Sequence, residues 1–334
     1  MGALASFAAL LLASGFGAPS ASTSTVQAQA TLAAVGDIRL DGPVGRLIAR
    51  GGAKAPVSGL GEALQADIVF GNLECSLTKR GEKQLKKWNF RAPPKSLALL
   101  KAAGFNILNV ANNHIMDYGR TGFLDTLAAL KKNNLTYVGG GKDIAEAERL
   151  RIVEAGGLKV GFLGFTSTFP QEAWAKKRRP GVAYSNFDRF PGIIKRAKDQ
   201  CDVLVVSFHG GTELAEEPND IQKGFTRMAV DAGADLVLGH HPHVLQAVEL
   251  YKGKPILHSL GNFLFVSPNP ATRYTVIAKA TLTASGVSRV DFIPIDNNWG
   301  TPKPAGPEGR KLVYDALNRL GTLAQNPGRF GMSP

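Results

Sequence analysis

An α/β fold is predicted by two observations. Apolar strand-like runs alternate with helix-like segments, and the chain's six histidines all sit at or just beyond such runs. In open α/β sheets, ligands collect outside the carboxyl ends of the strands, so polar residues scattered along the sequence at those ends can converge in space. The elements follow in order. Residues 32–36 read as a strand and are followed by a helical segment at 44–50; strand 67–71 is followed by helix 95–103, and strand 106–110 by helix 121–132. In this last helix Phe123, Leu124, Leu127 and Leu130 share one face, and Lys131 and Lys132 lie near its C-terminus, where cations suit the dipole.

Residues 150–165 contain two β-rich runs around Gly156-Gly157, which predicts a hairpin. Helix 192–198 leads to strand 203–207, and helix 221–230 to strand 235–238. Beyond 244 the pattern becomes β-rich segments joined by turns, at 244–250, 255–260, 274–283 and 287–295, which we read as a second sheet packed on the first. Gly, Pro and Asn thicken after Asp296, and a short amphipathic helix at 311–320 follows. The expected organisation is a secretory signal at 1–30, one domain at 31–296 and a peripheral tail at 297–334.

The signal is expected because the first 30 residues carry no Asp, Glu, Lys or Arg, and an apolar stretch at 3–18 precedes the small-residue site Ala28-Gln29-Ala30. The expected location is therefore periplasmic or otherwise extracytoplasmic, in solution or associated with the membrane. No cysteine lies near that site, which excludes a lipoprotein anchor there. The formal charge of +12 falls on the remaining residues and favours anionic partners. The basic runs Lys83 to Lys87 and Lys176 to Arg179 read as solvated loops, and no motif for sequence-specific reading of nucleic acid is present. Cys75 follows one strand and Cys201 precedes another; in one parallel sheet they would lie at opposite edges, beyond disulfide reach.

Gly239-His240-His241-Pro242-His243 concentrates imidazoles directly after an apolar run, which is a metal-site signature. Asp37, Glu74, Asn112, Asn113, His114 and His209 close or follow other runs. Carboxylate, amide and imidazole ligands together suit two divalent cations of the Mn, Fe or Zn type. Bland readings exist: Asp37 and Glu74 as helix caps, Asn112 as a turn former, His258 as a packed, hydrogen-bonded strand residue, and Cys75 as a buried small residue.

Gly36-Asp37, Asn72-Leu73-Glu74, Ala111-Asn112-Asn113-His114 with Asp117 and Gly119, His209-Gly210-Gly211-Thr212-Glu213, the 239–243 cluster and Ser259-Leu260-Gly261-Asn262-Phe263 occur in order. This set resembles the CapA family of capsule and poly-γ-glutamate synthesis proteins, within the calcineurin-like metallophosphoesterases. The resemblance spans residues 31 to 270. It implies a four-layer α-β-β-α sandwich, two mixed sheets flanked by helices, with a dimetal centre at their rim.

Carried over by the resemblance, Asp37 binds a first metal, Glu74 bridges, and Asn113 and His209 bind the second. His241 and His243 reach the second and first metals, and His114 is the general acid. Arg39, Asn112, Glu213, His240 and Asn262 are expected to contact substrate or to support the ligands. Arg39 stands where the wider superfamily has a histidine, and it is a candidate for binding a phosphate or carboxylate in bidentate fashion. The function implied is metal-dependent hydrolysis in an anionic envelope polymer or phosphorylated precursor, beside a membrane capsule-synthase complex. A non-catalytic polymer-binding assembly or export subunit is the alternative. A periplasmic nucleotidase would need an aromatic clamp, and Trp88 and Trp174 stand isolated in the sequence.

Overall fold

The computed structural model describes residues 1, 2 and 28–333. The expected signal therefore lies outside the described residues apart from its two ends. Strand β1 (Gln29–Ile38) is followed by α1 (Gly42–Gly51), β2 (Ile68–Leu73), α2 (Leu97–Ala102), β3 (Ile107–Asn109), α3 (Gly119–Lys132) and β4 (Thr136–Val138). The hairpin β5 (Arg151–Ala155) and β6 (Leu158–Thr166) turns at Gly156 and Gly157, both at positive φ, as a tight hairpin requires. Then come α4 (Phe190–Lys198), β7 (Val203–His209), α5 (Asp220–Asp231), β8 (Leu236–His240), β9 (Val248–Tyr251) and β10 (Lys254–Leu257). The chain ends in β11 (Asn262–Leu264), β12 (Tyr274–Thr283), β13 (Gly286–Asp296), β14 (Lys303–Pro304), α6 (Pro307–Leu317) and β15 (Phe330–Met332).

Two mixed sheets result. The first, nine-stranded among the described residues, runs β14-β13-β12-β1-β2-β3-β4, with β11 added to β1 and β15 to β13. The second, six-stranded, runs β9-β10-β8-β7-β6-β5. Alternation along β1 explains the layering: Leu32 and Ala34 face the second sheet, where they join Phe70, Phe162, Val205 and Leu236, while Ala33 and Val35 face α1, α2 and α3. The outer face of the second sheet packs Leu204, Val206 and Val237 on Ile194 of α4 and Phe225 of α5. Helices, sheet, sheet and helices form four layers, as the motifs implied.

Three expectations change. The β-rich segments after 244 do not make a sheet of their own: β9 and β10 complete the sheet begun by β5, while β12 and β13 extend the sheet begun by β1. The reason is that β12 pairs antiparallel along β1 from Gln29 to Ala34, so β1 sits inside its sheet and not at its edge. The tail is not peripheral. Val313, Leu317, Leu323 and Phe330 are buried in the inter-sheet core, and β15 adds a strand beside β13. Finally, Cys75 and Cys201 are free thiols; Cys75 follows β2 of the first sheet and Cys201 precedes β7 of the second, so they flank different sheets and not opposite edges of one.

Candidate metal centre

The carboxyl ends of the parallel strands bring two polar rows together. In the first sheet Asp37 of β1 is level with Asn262 of β11 on one side and Asn72 of β2 on the other, and Asn72 is level with Asn109 of β3. In the second sheet Thr166, His209 and His240 are level across β6, β7 and β8. Close backbone approach builds both rows. A side chain at Gly36 would place Cβ 1.8 Å from the Gly261 carbonyl oxygen, and one at Gly239 would place it 1.9 Å from that of His258. The amide of Asp37 donates to the same Gly261 carbonyl at 2.9 Å, which fixes the carboxylate at the strand end.

Two groups of three ligand atoms meet between the rows. Glu74, His209 and His241 form one; Asp37, Glu74 and His243 form the other; Glu74 belongs to both. His209 Nε2 lies 3.6 Å from Glu74 Oε1 and 2.8 Å from Asn113 Oδ1, and His243 Nδ1 lies 3.1 Å from Asp37 Oδ2. Glu74 is wholly buried, and among the described residues neither of its carboxylate oxygens has a hydrogen-bond partner. Burying a carboxylate without partners costs several kcal/mol, about the scale on which a bound cation or proton becomes the stable solution. The donor set therefore fits divalent cations.

The electrostatics agree. Burial and then the charge of Asp37 push the Glu74 carboxyl well above its ordinary range. Burial also works against ionised Asp37, but the hydrogen bond and charge of His243 outweigh it and hold that carboxyl low. Burial opposes charge on His243 as well, yet Glu74 and Asp37 carry it up to about 9. Burial drops His241 to about 3 and His240 to about 4, so both are neutral imidazoles, the form a metal binds. His209 is driven well down by burial and by its neighbouring imidazoles. His241 and His243 flank Pro242 with φ of 98° and 61°, left-handed positions that each cost a non-glycine residue roughly 1–3 kcal/mol.

Beside this centre His114 is aimed by its neighbours. Asn112 Oδ1 accepts from the amides of His114 and Ile115, so Asn112 shapes the turn. Asp117 Oδ2 lies 2.8 Å from His114 Nδ1, which leaves Nε2 as the free ring nitrogen. Lys86 pairs with Asp117 and donates to the Asn113 carbonyl at 2.7 Å. Burial lowers the His114 pKa, with Asp117 acting against it. The Phe90 ring carries His114 at 4.1 Å and the Arg39 guanidinium at 3.9 Å, and these must occupy opposite faces.

The supporting residues divide. Asn262 Oδ1 lies 2.9 Å from His243 Nδ1 and orients that ring. His240 is buried next to Asp37, with Nδ1 3.6 Å from Oδ1, and neither ring nitrogen has a hydrogen-bond partner among the described residues. Arg39 is tied to Asp41 by an ion pair, so its fork is already engaged by a protein carboxylate. Glu213 is exposed on the loop after β7, near enough to act on Glu74 and His243 through its charge but without a hydrogen bond to either. His258 is buried against Glu249 at 2.9 Å, Cys75 is a buried thiol raised by burial, and both lie outside the ligand groups.

Sequence reasoning assigned no role to Asn72, Asn109 and Asp117. Asn72 Nδ2 donates to Asp37 Oδ1 at 2.8 Å and meets His209 Nδ1 at 3.1 Å, while its Oδ1 accepts from Asn109 and Asn112. One amide thus ties a ligand of each sheet to the other. The signal was there: Asn72 and Asn109 are polar residues inside otherwise apolar strands.

Two face-to-face mixed sheets flanked by helices, with a histidine–carboxylate centre at their strand ends, define an α/β protein with a candidate metal centre. Within that class the chain belongs to the bacterial capsule synthesis protein PGA_cap family, whose model matches residues 31–267. It is 36% identical over 281 residues to the PGA biosynthesis protein CapA of Bacillus subtilis (strain 168), covering 83% of this chain and 74% of that one. It is 35% identical over 283 residues to the capsule biosynthesis protein CapA of Bacillus anthracis, covering 82% and 69%. Among solved structures, a putative 5′-nucleotidase from Staphylococcus aureus aligns at 15% identity with a TM-score of 0.47, over 86% of this chain and 58% of that one.

Proposed function

We propose that this chain is an exported hydrolase of capsule or poly-γ-glutamate synthesis, acting through two divalent cations on an ester or amide-like bond of an anionic envelope polymer or its phosphorylated precursor. The observation that carries the reading is Glu74, a buried carboxylate without partners that is shared by two ligand groups. Asp37 and His243 would hold one cation, His209, His241 and Asn113 the other, and Glu74 both. Cations of the Mn, Fe or Zn type would supply polarisation of the scissile group and a water nucleophilic at neutral pH. His114 gives a proton from Nε2 to the leaving oxygen, and Asp117 holds the ring and favours its charged form. The names of the relatives support association with a polymer-synthesising assembly at the envelope.

A second reading, a polymer-binding assembly subunit without catalysis, is favoured by Arg39. Its guanidinium is fixed by Asp41 and Phe90, in the motif where the superfamily places a histidine. Elemental analysis of the purified chain, with p-nitrophenyl phosphate and bis-p-nitrophenyl phosphate turnover on the same samples, separates the two. About two metals per chain, lost together with turnover in a His241→Ala/His243→Ala variant, is the expected result. Absence of metal and of turnover after Mn or Zn addition would leave the assembly subunit.

A further inference from the structure

The loop that carries the first basic run meets, in space, the loop that leads into the second. Gln84 and Lys86 of the first, and Pro170, Glu172 and Ala173 of the loop that leads into the second, line one cavity of about 110 Å³ that also borders Asn113 and Asp117. Both loops are held firmly. The Gln84 amide donates to the Asp117 carbonyl at 2.9 Å, and the Asn89 side chain donates to the carbonyls of Gln84 and Lys86. In the other loop Trp174 stacks on Tyr184 at 3.6 Å, and Arg179 donates to the Trp174 carbonyl.

These anchored loops present apolar tips to solvent. Leu85 is 106% exposed, Trp88 60% and Phe169 64%. The same loops carry Lys83, Lys87, Lys177 and Arg178, exposed and without an ion-pair partner among the described residues; their exposed acids are Glu82 and Glu172. Isolated exposed leucines need no explanation, but three large apolar groups on two anchored loops beside a cationic surplus do. Tryptophan settles at the headgroup level of a bilayer, aliphatic and phenyl groups bury at its acyl boundary, and lysines are drawn to anionic headgroups.

We propose that these two loops form a docking rim for an anionic lipid bilayer. A soluble polyanion would satisfy the cations, but Leu85 and Phe169 would gain nothing from it, and this decides for the membrane. Docking would set the cavity beside Asn113 and Lys86 against the lipid–water boundary, so the material reaching the candidate centre would be held at that boundary. The inference goes beyond the hydrolytic reading and does not depend on it.

The test is co-sedimentation of the full-length chain with vesicles of phosphatidylcholine alone and of phosphatidylcholine with phosphatidylglycerol. Wild type is compared with L85S/W88S/F169S and with K83E/K87E/K177E, after thermal unfolding has confirmed that both variants fold. The N-terminal apolar stretch is common to all three proteins, so differences among them report the loops. Both variants are expected to lose about tenfold or more of their partitioning onto the anionic vesicles. Variants that bind like wild type, or a loss relative to wild type that is equal on both vesicle types, would overturn the proposal. Loss in the charge variant alone would overturn it too, because the rim would then be a polyanion site.

Discussion

Glu74 and His243 set how the centre responds to pH. Without a cation, the buried Glu74 carboxyl retains its proton well above the ordinary carboxylate range, and His243 keeps its own up to about 9. A cation competes with those protons, so its affinity rises with pH until both groups are free of them. Manganese should bind more tightly at pH 8 than at pH 6, by about tenfold per unit for each proton displaced. Calorimetric titration in buffers of different ionisation heat counts the protons; affinity independent of pH would show that neither group meets the metal. The ligand types were readable in the sequence because histidines after strands are conspicuous. The role of Asn72 was not, since an asparagine inside a strand gains meaning only when the neighbouring strand puts Asp37 beside it.

At the scale of single elements, the end of β1 tolerates no side chain where it passes β11. Gly36→Ala would drive Cβ into the Gly261 backbone, and the expected cost is above about 4 kcal/mol, at the extreme of single substitutions. Gly224 is the control. It lies within α5, and an added Cβ there would meet nothing within 4 Å, so Gly224→Ala should stabilise by roughly 0.5–1 kcal/mol. Denaturant unfolding of both variants checks the pair, and equal midpoints would refute the close-approach argument. Most elements were legible because their periods are clean: α3 spans Gly119–Lys132 against the expected 121–132, and β12 spans Tyr274–Thr283 as expected. Sheet membership was not legible. An apolar strand such as β12 carries no mark of its partner, and only the long-range pairing with β1 decides it.

For the molecule as a whole, the C-terminal segment completes the core between the sheets. Removing residues 297–334 would expose the pocket filled by Val313, Leu317, Leu323 and Phe330, each contributing about 1.5–3 kcal/mol through burial. The truncated chain should be insoluble or molten, with a broad thermal transition; a cooperative transition near that of the full chain would mark the segment as dispensable. The sequence hid this because glycine and proline around 297–304 mimic the boundary of a tail, although the chain beyond returns to the sheet as β15. One feature reaches across all three scales. Asp37, Asn72 and Asn109 are level across one sheet, and Thr166, His209 and His240 across the other, so the centre works like a vernier whose marks coincide at a single setting. A slip of one residue in either sheet would turn a ligand toward the opposite face and separate the marks. If the proposed cations bind there, a nascent chain that captured them would thereby have certified its own alignment, and uptake of metal would become a checkpoint in its assembly.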